Sequence, residues 1–531
     1  MSIKKQAEHK DVKQSANPEG NAAIAMNKSI VTLLRPPVIS SRNSFSAPIT
    51  PALALAYLTA FLQKEAIDVD PIDAVGEDIN HVELLSRGRR MQGMALESIA
   101  ARIHPSTDIL GVSVMFSQEW PFIRELLVMI KKAHPHLSII AGGEHITALP
   151  EFSLQDCPAL DYCCLGEGEE ILFDFVQTFR NKGLEMKTVN GLCYREGSGF
   201  VRTSPKKRIR DIDSIPWPAW DQLPIEAYLS NGYGHGVNRG RNMPMLATRG
   251  CPYQCTFCSN PVMYGQRYYM RSPEDIIREM KLYTAKYEAT FIEFYDLTAI
   301  IKKDWIVRFC NLYLQNNLSV GWSLPSGTRS EALDSEALNL LKETNCRYLV
   351  YAPESGSTDT LREIKKQVKL DLLVNSAKTA VHLGIKTRCN LILGFPKETQ
   401  KQIFETLWFQ IKLAWIGVDD APLYMFSPYP GSALFQYLRD AGKIQELDEK
   451  YFNRLLAQMD ITADETYCEN VSGRMLGIWR ILGMCCFYGL SYICRPMRIP
   501  RSILNIFIRK RTDTVFEQRI SEMLRRSAAV P

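Results

Sequence analysis

The chain lacks a strong charge of either sign. Its 63 Lys and Arg against 58 Asp and Glu over 531 residues leave a net charge of +5, so charge makes no case for nucleic acid as a partner. It also lacks a signal-like start. Met1 to about Met26 is polar, rich in Lys, Gln, Glu and Asn without an apolar core, and is expected to be a disordered tail. No uncharged apolar run reaches the ~18–20 residues that span a bilayer. The nearest, Ile481–Cys494, is bounded by Arg480 and Arg495 and reads as a buried or interfacial helix. Fourteen cysteines are many, yet they lack the dense, regular spacing of a secreted disulfide scaffold. What remains is an ordinary globular composition, 46% hydrophobic and 23% charged, long enough for two or three domains.

Three of the cysteines do carry a pattern. Cys251-Pro-Tyr-Gln-Cys255-Thr-Phe-Cys258 is a CxxxCxxC loop that follows the strand-like Met243–Thr248. Thiolates are soft ligands suited to iron–sulfur clusters and zinc. Most 4Fe–4S clusters take four cysteines; three leave one iron open to an outside ligand, as catalysis requires. The alternatives are a zinc site or buried free cysteines. Zinc favours CxxC pairs with a fourth ligand nearby, and no second pair follows at that spacing. A cluster places the protein in a reducing cytoplasm.

Upstream, short apolar strands alternate with helical periodicity: Ser29–Leu34, Pro51–Glu65, Asp68–Ala74, Gly93–Ile103, Ile109–Val114, Trp120–Ala133 and Leu137–Ala141. This predicts an α/β domain, a doubly wound parallel sheet that binds ligands beyond its strand C-termini. The loops to watch are Arg35–Phe45, Ser113–Glu119 and Gly142–His145. Gly142-Gly143 admits close approach of a ligand to the backbone, or is a tight turn. Glu167 and Glu169 in Gly166-Glu-Gly-Glu169 are sufficiently explained as helix caps. Arg195 to about Pro218 is expected to be a connection, Lys206–Arg210 a solvated basic face, and Gly232–Gly240 a mobile stretch.

From Met243 the alternation resumes. Strands are expected at Met243–Thr248, Thr290–Tyr295, Gly321–Leu324, Tyr348–Ala352, Thr387–Leu393 and Asp420–Ser427. Helices are expected at Pro273–Glu288, Lys303–Asn316, Ser335–Thr344, Leu370–Leu383 and Lys401–Ile416. Six such units suit a partial (β/α)6 barrel, whose chemistry gathers at the strand C-termini.

These residues resemble the radical S-adenosylmethionine (radical SAM) enzymes, in the branch with an N-terminal cobalamin-binding domain. The glycine before Cys251 and the aromatic Phe257 before Cys258 carry the first match. The second rests on Pro36-Pro37, the helix from Pro51 through Tyr57, Ser113, Gly142-Gly143-Glu144-His145, Gly166–Glu169 and the proline–tryptophan linker Ile215–Asp221. The resemblance implies Cys251, Cys255 and Cys258 as ligands of a catalytic 4Fe–4S cluster. It places SAM near Phe257, Asp296, Glu354, Ser355, Ile392 and Gly394, with Pro428–Ser432 at a further strand end and Arg329 and Arg388 as candidates for a carboxylate. Cobalamin would meet Ser113, Gly142, Gly143 and Glu144. Other cobalamin proteins place a histidine in Asp-x-His-x-x-Gly after the first strand; here that loop is Arg35-Pro-Pro-Val-Ile-Ser-Ser. Cobalamin is therefore expected to lack a protein histidine on its lower face, and His145 to be a surface turn residue. Taken singly, each strand-end residue is equally a cap or a turn; Asp296 in particular could instead fix a loop.

The implied domains are 1–28 tail, 29–200 Rossmann-like cobalamin domain, 201–240 linker, 241–445 radical SAM partial barrel and 446–531 helical cap. The implied chemistry is reductive cleavage of SAM to a 5′-deoxyadenosyl radical that takes hydrogen from an unactivated carbon, with methyl delivery from cobalamin. An external donor such as flavodoxin or ferredoxin would supply the electron. A C-methyltransferase acting on a small molecule, a lipid, tetrapyrrole or natural product, is the leading expectation. A radical oxidative cyclase resembling the anaerobic enzyme of chlorophyll synthesis is the second, and a non-catalytic iron–sulfur and cobalamin protein the third. The final helical region, about Gly473–Ile508, mixes Arg, Trp, Phe and Ile. It reads as a cap on the barrel, and the same mixture suits peripheral contact with a membrane.

Overall fold

The computed structural model describes residues 31–42, 44, 49–86, 88–181, 185–298, 300–329, 333–456, 460 and 465–529. The expected N-terminal tail and Phe45 lie outside them. Apolar runs such as Val31-Thr-Leu-Leu and Ile109-Leu-Gly-Val are buried on both faces, which suits central strands of a parallel sheet. Five of them are β1 (Val31–Arg35), β2 (Val69–Asp73), β3 (Ile109–Ser113), β4 (Ser138–Gly142) and β5 (Tyr162–Cys164). Two more, β6 (Leu192–Glu196) and β7 (Gly199–Arg202), complete a seven-stranded sheet in the order β7-β6-β5-β4-β3-β1-β2. Pairing is parallel from β2 to β5 and antiparallel at the β6–β7 edge. The order reverses between β1 and β3. In open α/β sheets that switch point is where ligands sit, so the loops after β1 and β3 flank the binding crevice.

Residues expected to begin a connection thus extend the sheet instead. Gly197, at φ +59, turns the β6–β7 hairpin, a backbone conformation that glycine takes without penalty. The loop after β1 also has its own structure. Val38–Ser41 pairs with Arg89–Gln92, which pairs with Val82–Leu85, as a small antiparallel sheet. Gly232–Gly240 is packed rather than free. Tyr233, Val237 and Asn238 are buried, and the backbone N–H groups of His235 and Gly236 each lie 3.0 Å from a Glu293 carboxylate oxygen.

The second sheet is wholly parallel and sequential: β8 (Asn242–Met245), β9 (Phe291–Phe294), β10 (Gly321–Thr328), β11 (Cys346–Glu354), β12 (Lys386–Leu393) and β13 (Leu423–Met425). Five helices alternate with these strands: Pro273–Lys286, Lys303–Gln315, Ser335–Glu343, Leu370–His382 and Gln400–Ile416. Buried aliphatic and aromatic side chains on both sides of the strands join into one core. The architecture is a six-unit partial barrel. Beyond it the expected C-terminal helical region is divided at Arg495-Pro496. Gly473–Cys494 is followed by Arg498–Ile503, a π-helical turn Leu504–Arg509, and Val515–Ala529. Proline supplies no backbone N–H to a helix, so it cannot continue one undisturbed.

Candidate active site

The cluster loop leaves the barrel at the C-terminal end of β8. Gly250, at φ +92, could not be another residue, because a Cβ there would come 2.2 Å from the Arg267 carbonyl oxygen. Cys251, Cys255 and Cys258 are partly exposed, whereas Cys157, Cys163, Cys310 and Cys389 are buried in the packing of the fold. The loop is braced from several sides. Thr256 N–H donates to the Ile364 carbonyl at 3.0 Å, and its own carbonyl accepts from Leu434 N–H at 2.8 Å. The Arg329 guanidinium lies 4.0 Å from the Tyr253 ring centroid.

Burial raises the Cys255 thiol's pKa, with the Lys366 cation opposing the shift, and it pushes Cys258 up to about 12. Each of these thiols also feels the Cys251 sulfur. Among the described residues no three His, Cys, Asp or Glu side chains converge as a single metal ion would need. A tetrahedral zinc with Zn–S near 2.3 Å draws its thiolates to within ~4 Å of one another. A cluster instead gives each thiolate its own iron, a role open to the three partly exposed thiols of this loop.

The strand-end residues divide. Asp296 is fully buried and accepts from Ala247 N–H at 3.1 Å and from the Thr248 hydroxyl, so it ties β9 to the start of the cluster loop. Burial raises its carboxyl to about 6. Glu354 ends β11 at φ +66 and pairs with Lys366 at 2.9 Å. Ser355, expected to offer its hydroxyl to a ribose, is turned away. It is fully buried and bonds the Thr406 hydroxyl at 2.8 Å on the helix Gln400–Ile416. That helix packs so closely that a Cβ on Gly356 would meet Phe409 Cβ at 2.4 Å. The open backbone edge expected at Gly394 is also taken: its N–H donates to Glu398 at 2.7 Å. Ile392 and Phe257 pack against one apolar cluster with Phe395 and Phe426, which brings the cluster loop against β12 and β13. Arg388 is engaged with Asn390 at 2.8 Å, with Tyr424, and with Asp420 at 3.5 Å.

On the other domain, Ser113 and Gly142 pair in register at the ends of β3 and β4. Gly143 follows at φ +120, where a Cβ would lie 2.5 Å from the Val114 carbonyl oxygen. Only glycine fits that turn, which packs directly on the backbone that follows β3 at the mouth of the crevice. Glu144 begins a helical turn and accepts from the Ser259 hydroxyl, one residue past Cys258. The two sets of loops therefore meet. His145 is not a surface residue. It is buried, stacks on Trp120 at 4.8 Å and hydrogen-bonds Ser117 at 2.9 Å. Burial lowers its pKa to about 3, so the ring is neutral and committed to the core.

Several residues that adjoin the site had no signal in the sequence. Arg249, two residues before Cys251, pairs with Glu169 at 2.6 Å across the domain boundary. Arg208 pairs with Glu167 at 3.1 Å and donates to the Tyr264 carbonyl at 2.9 Å. The glutamates are thus partners of largely buried arginines rather than simple caps, and the basic run is partly clamped rather than solvated. Lys366 lies beside Cys255 and Glu354 with nothing in its local sequence to mark it.

A three-thiol loop at the mouth of a partial barrel, facing a doubly wound domain with a bare glycine turn, defines an iron–sulfur enzyme with a second, corrinoid-type cofactor domain. Residues 245–409 match the radical SAM superfamily and residues 46–176 the B12 binding domain, in that order along the chain. The chain belongs to the cobalamin-binding radical SAM superfamily.

It is 28% identical over 407 residues to an uncharacterized methyltransferase of Pyrococcus horikoshii, covering 77% of this chain and 82% of that one. It is 26% identical over 451 residues to the cytidylyl-2-hydroxyethylphosphonate methyltransferase of Streptomyces wedmorensis, covering 79% and 84%. The anaerobic magnesium-protoporphyrin IX monomethyl ester cyclase of Cereibacter sphaeroides is 25% identical over 411 residues, covering 76% of this chain and 62% of that protein. In fold it is similar to the methyltransferase TsrM of Kitasatospora setae solved with cobalamin and a [4Fe-4S] cluster: TM-score 0.59, 17% identity, 78% of each chain.

Proposed function

We propose that the chain is a cobalamin-dependent radical SAM methyltransferase acting on an unactivated carbon. The observation that carries this is the contact of Glu144 with Ser259, which sets the crevice of the cobalamin domain beside the residue that follows Cys258. A methyl donor held at Gly142-Gly143 would then lie against the site where the radical is made. When bound, the cluster and SAM supply a 5′-deoxyadenosyl radical and cobalamin supplies the methyl group.

The chain's own residues do the rest. Cys251, Cys255 and Cys258 would hold the cluster, three ligands that would leave one iron for SAM. Asp296 and Lys366 keep the loop in place, and Glu354 stands at the mouth of the barrel. Phe257 and Ile392 give an adenine an apolar wall and exclude water. Ser113, Gly142 and Gly143 leave room for cobalamin, and His145, locked against Trp120, does not ligate cobalt. The lack of a histidine in the loop after β1 supports a free lower face. All fourteen cysteines are free thiols, which supports a reducing cytoplasm; reductive cleavage of SAM would draw its electron from an external low-potential donor such as flavodoxin or ferredoxin. A small-molecule acceptor, a lipid or tetrapyrrole, is in keeping with a helical cap packed on the barrel.

Ring closure is the second reading, favoured by the likeness to the Cereibacter cyclase. Product analysis separates the two. Anaerobically purified protein, with its cluster rebuilt and cobalamin added, is given SAM and a low-potential reductant. Methyl transfer yields both 5′-deoxyadenosine and S-adenosylhomocysteine. Deoxyadenosine alone, with a substrate that turns over, would move the assignment to cyclisation.

A further inference from the structure

The helix Gln400–Ile416 packs its inner face on the barrel and presents Phe404, Trp408, Lys412 and Trp415 outward, all on one face at helical spacing. Beside it lies Gly473–Cys494, joined through the Phe404 and Trp479 rings, 4.8 Å apart. Its inner residues Leu476, Arg480, Gly483, Phe487 and Ser491 are buried, with Arg480 Nε donating to the Leu423 carbonyl at 2.8 Å. Its outer face carries Ile478, Ile481, Leu482 and Ile493, all exposed. Among the described residues this is the one helix long and apolar enough to cross a membrane, at mean hydropathy 1.4. Its docking on the barrel through a buried arginine makes it a surface element rather than a span.

The chain then turns at Arg495, whose guanidinium lies 3.3 Å from the Ala414 and Trp415 carbonyls. That contact sets the turn beside the tryptophan face. The exposure that follows is unusual for side chains of this size. Trp408 is 71% exposed, Trp415 68%, Ile493 79%, Met497 76%, Phe507 65% and Ile508 71%. Lone exposed apolar residues are ordinary, but a contiguous group marks an interaction surface.

The charge of the same stretch identifies the partner. Residues 473–511 hold eight Arg and Lys and neither Asp nor Glu. The rest of the chain, with the remaining basic residues against all 58 acids, is net negative. The segment ends in exposed Arg509, Lys510 and Arg511 immediately after Phe507 and Ile508. Arg480 and Arg498 are buried and Arg501 pairs with Asp419 and Asp513, so the cations offered to solvent are Arg474, Arg509, Lys510 and Arg511. Beside the exposed apolar and aromatic side chains they complement a bilayer of anionic lipid, where one set enters the acyl boundary and the other meets the headgroups.

We propose that the face formed by Gln400–Ile416, Gly473–Cys494 and the segment through Arg511 docks the enzyme peripherally on an anionic membrane. The test is sedimentation of the full chain with vesicles of phosphatidylcholine alone or of equal parts phosphatidylcholine and phosphatidylglycerol. The protein is expected to pellet with the anionic vesicles, to be released by salt, and to stay in solution with the neutral ones. A lipid-facing cation contributes roughly fivefold in affinity, so R509Q/K510Q/R511Q is expected to weaken binding roughly a hundredfold. W415S/I493S/F507S removes the apolar part on exposed positions that leave the core intact; its circular dichroism is expected to match the parent while binding is lost. Failure to pellet with anionic vesicles overturns the proposal. So does equal binding to both lipids, or attachment that salt does not release. A dimer in the ultracentrifuge that both triple variants dissolve would assign the face to a second copy of the chain instead.

Discussion

Arg249 and Glu169 form a buried ion pair, 2.6 Å from Nη2 to Oε1, with side chains 10% and 6% exposed. One partner lies two residues before the first cluster cysteine and the other opens the helix Gly168–Arg180 of the cobalamin domain. The pair is thus a strut between the two cofactor regions. The guanidinium holds the Glu169 carboxyl below its ordinary pKa even against burial. Removing one member of such a pair strands the other charge away from water. R249M is expected to cost about 3–5 kcal/mol in denaturant unfolding. The double variant E169Q/R249M should regain much of that, because no charge is then left unpaired.

Cys251, Cys255 and Cys258 are the accessible thiols of the barrel mouth, and Cys389 is buried inside β12. Alanine at any of the first three is expected to lower the iron content of the reconstituted protein severely and to abolish 5′-deoxyadenosine formation. C389A should keep its iron. Equal iron in all four variants would mean that the loop does not hold a cluster.

Gly143 and His145 separate cobalamin binding from cobalt ligation. G143A forces a Cβ against the Val114 carbonyl at a φ of +120. It is expected to cost about 1–3 kcal/mol and to release cobalamin during gel filtration. H145F replaces a neutral ring stacked on Trp120 by another ring of similar size. The electron paramagnetic resonance signal of bound cob(II)alamin should then be unchanged. A change in its axial hyperfine pattern would show that the histidine had reached the metal.

The layout was legible in the sequence because its carriers are local. Runs such as Ile109-Leu-Gly-Val are apolar on both faces and announce buried parallel strands, and a three-cysteine loop needs only spacing to be seen. The small sheet Val38–Ser41, Val82–Leu85 and Arg89–Gln92 was hidden because strands like Arg89-Arg-Met-Gln have no apolar alternation. Glu169 looks like any helix cap until the fold brings Arg249 to it. Ser355 has the composition of a ligand contact, but the close approach of a helix at Gly356 decides which way it turns. His145 lies beside two turn glycines in sequence, and only the packing of Trp120 shows it to be core.

Glu293 supplies a pH-dependent test of the packed Gly232–Gly240 segment. Its carboxylate is 1% exposed, accepts from the N–H groups of His235 and Gly236, and is approached by the Tyr295 hydroxyl at 3.3 Å. His235, half-buried beside it, is lowered by desolvation to about 4 and is neutral above that pH. Burial raises the Glu293 carboxyl from 4.5 to about 7. Between those values the folded chain keeps a proton that the unfolded chain has lost. The group's contribution is therefore full below about pH 4.5, falls as pH rises toward 7, and is flat above. The whole fall is on the order of 3 kcal/mol. Glu119 and Glu398 are raised to about 7 as well and titrate in the same window. They cancel when the parent is compared with E293Q. Unfolding free energies measured across this range should show the parent losing stability relative to E293Q up to about pH 7, and a constant difference beyond it. A constant difference over the whole range would mean that Glu293 is already ionised in the folded protein and that the glycine segment binds it as a carboxylate.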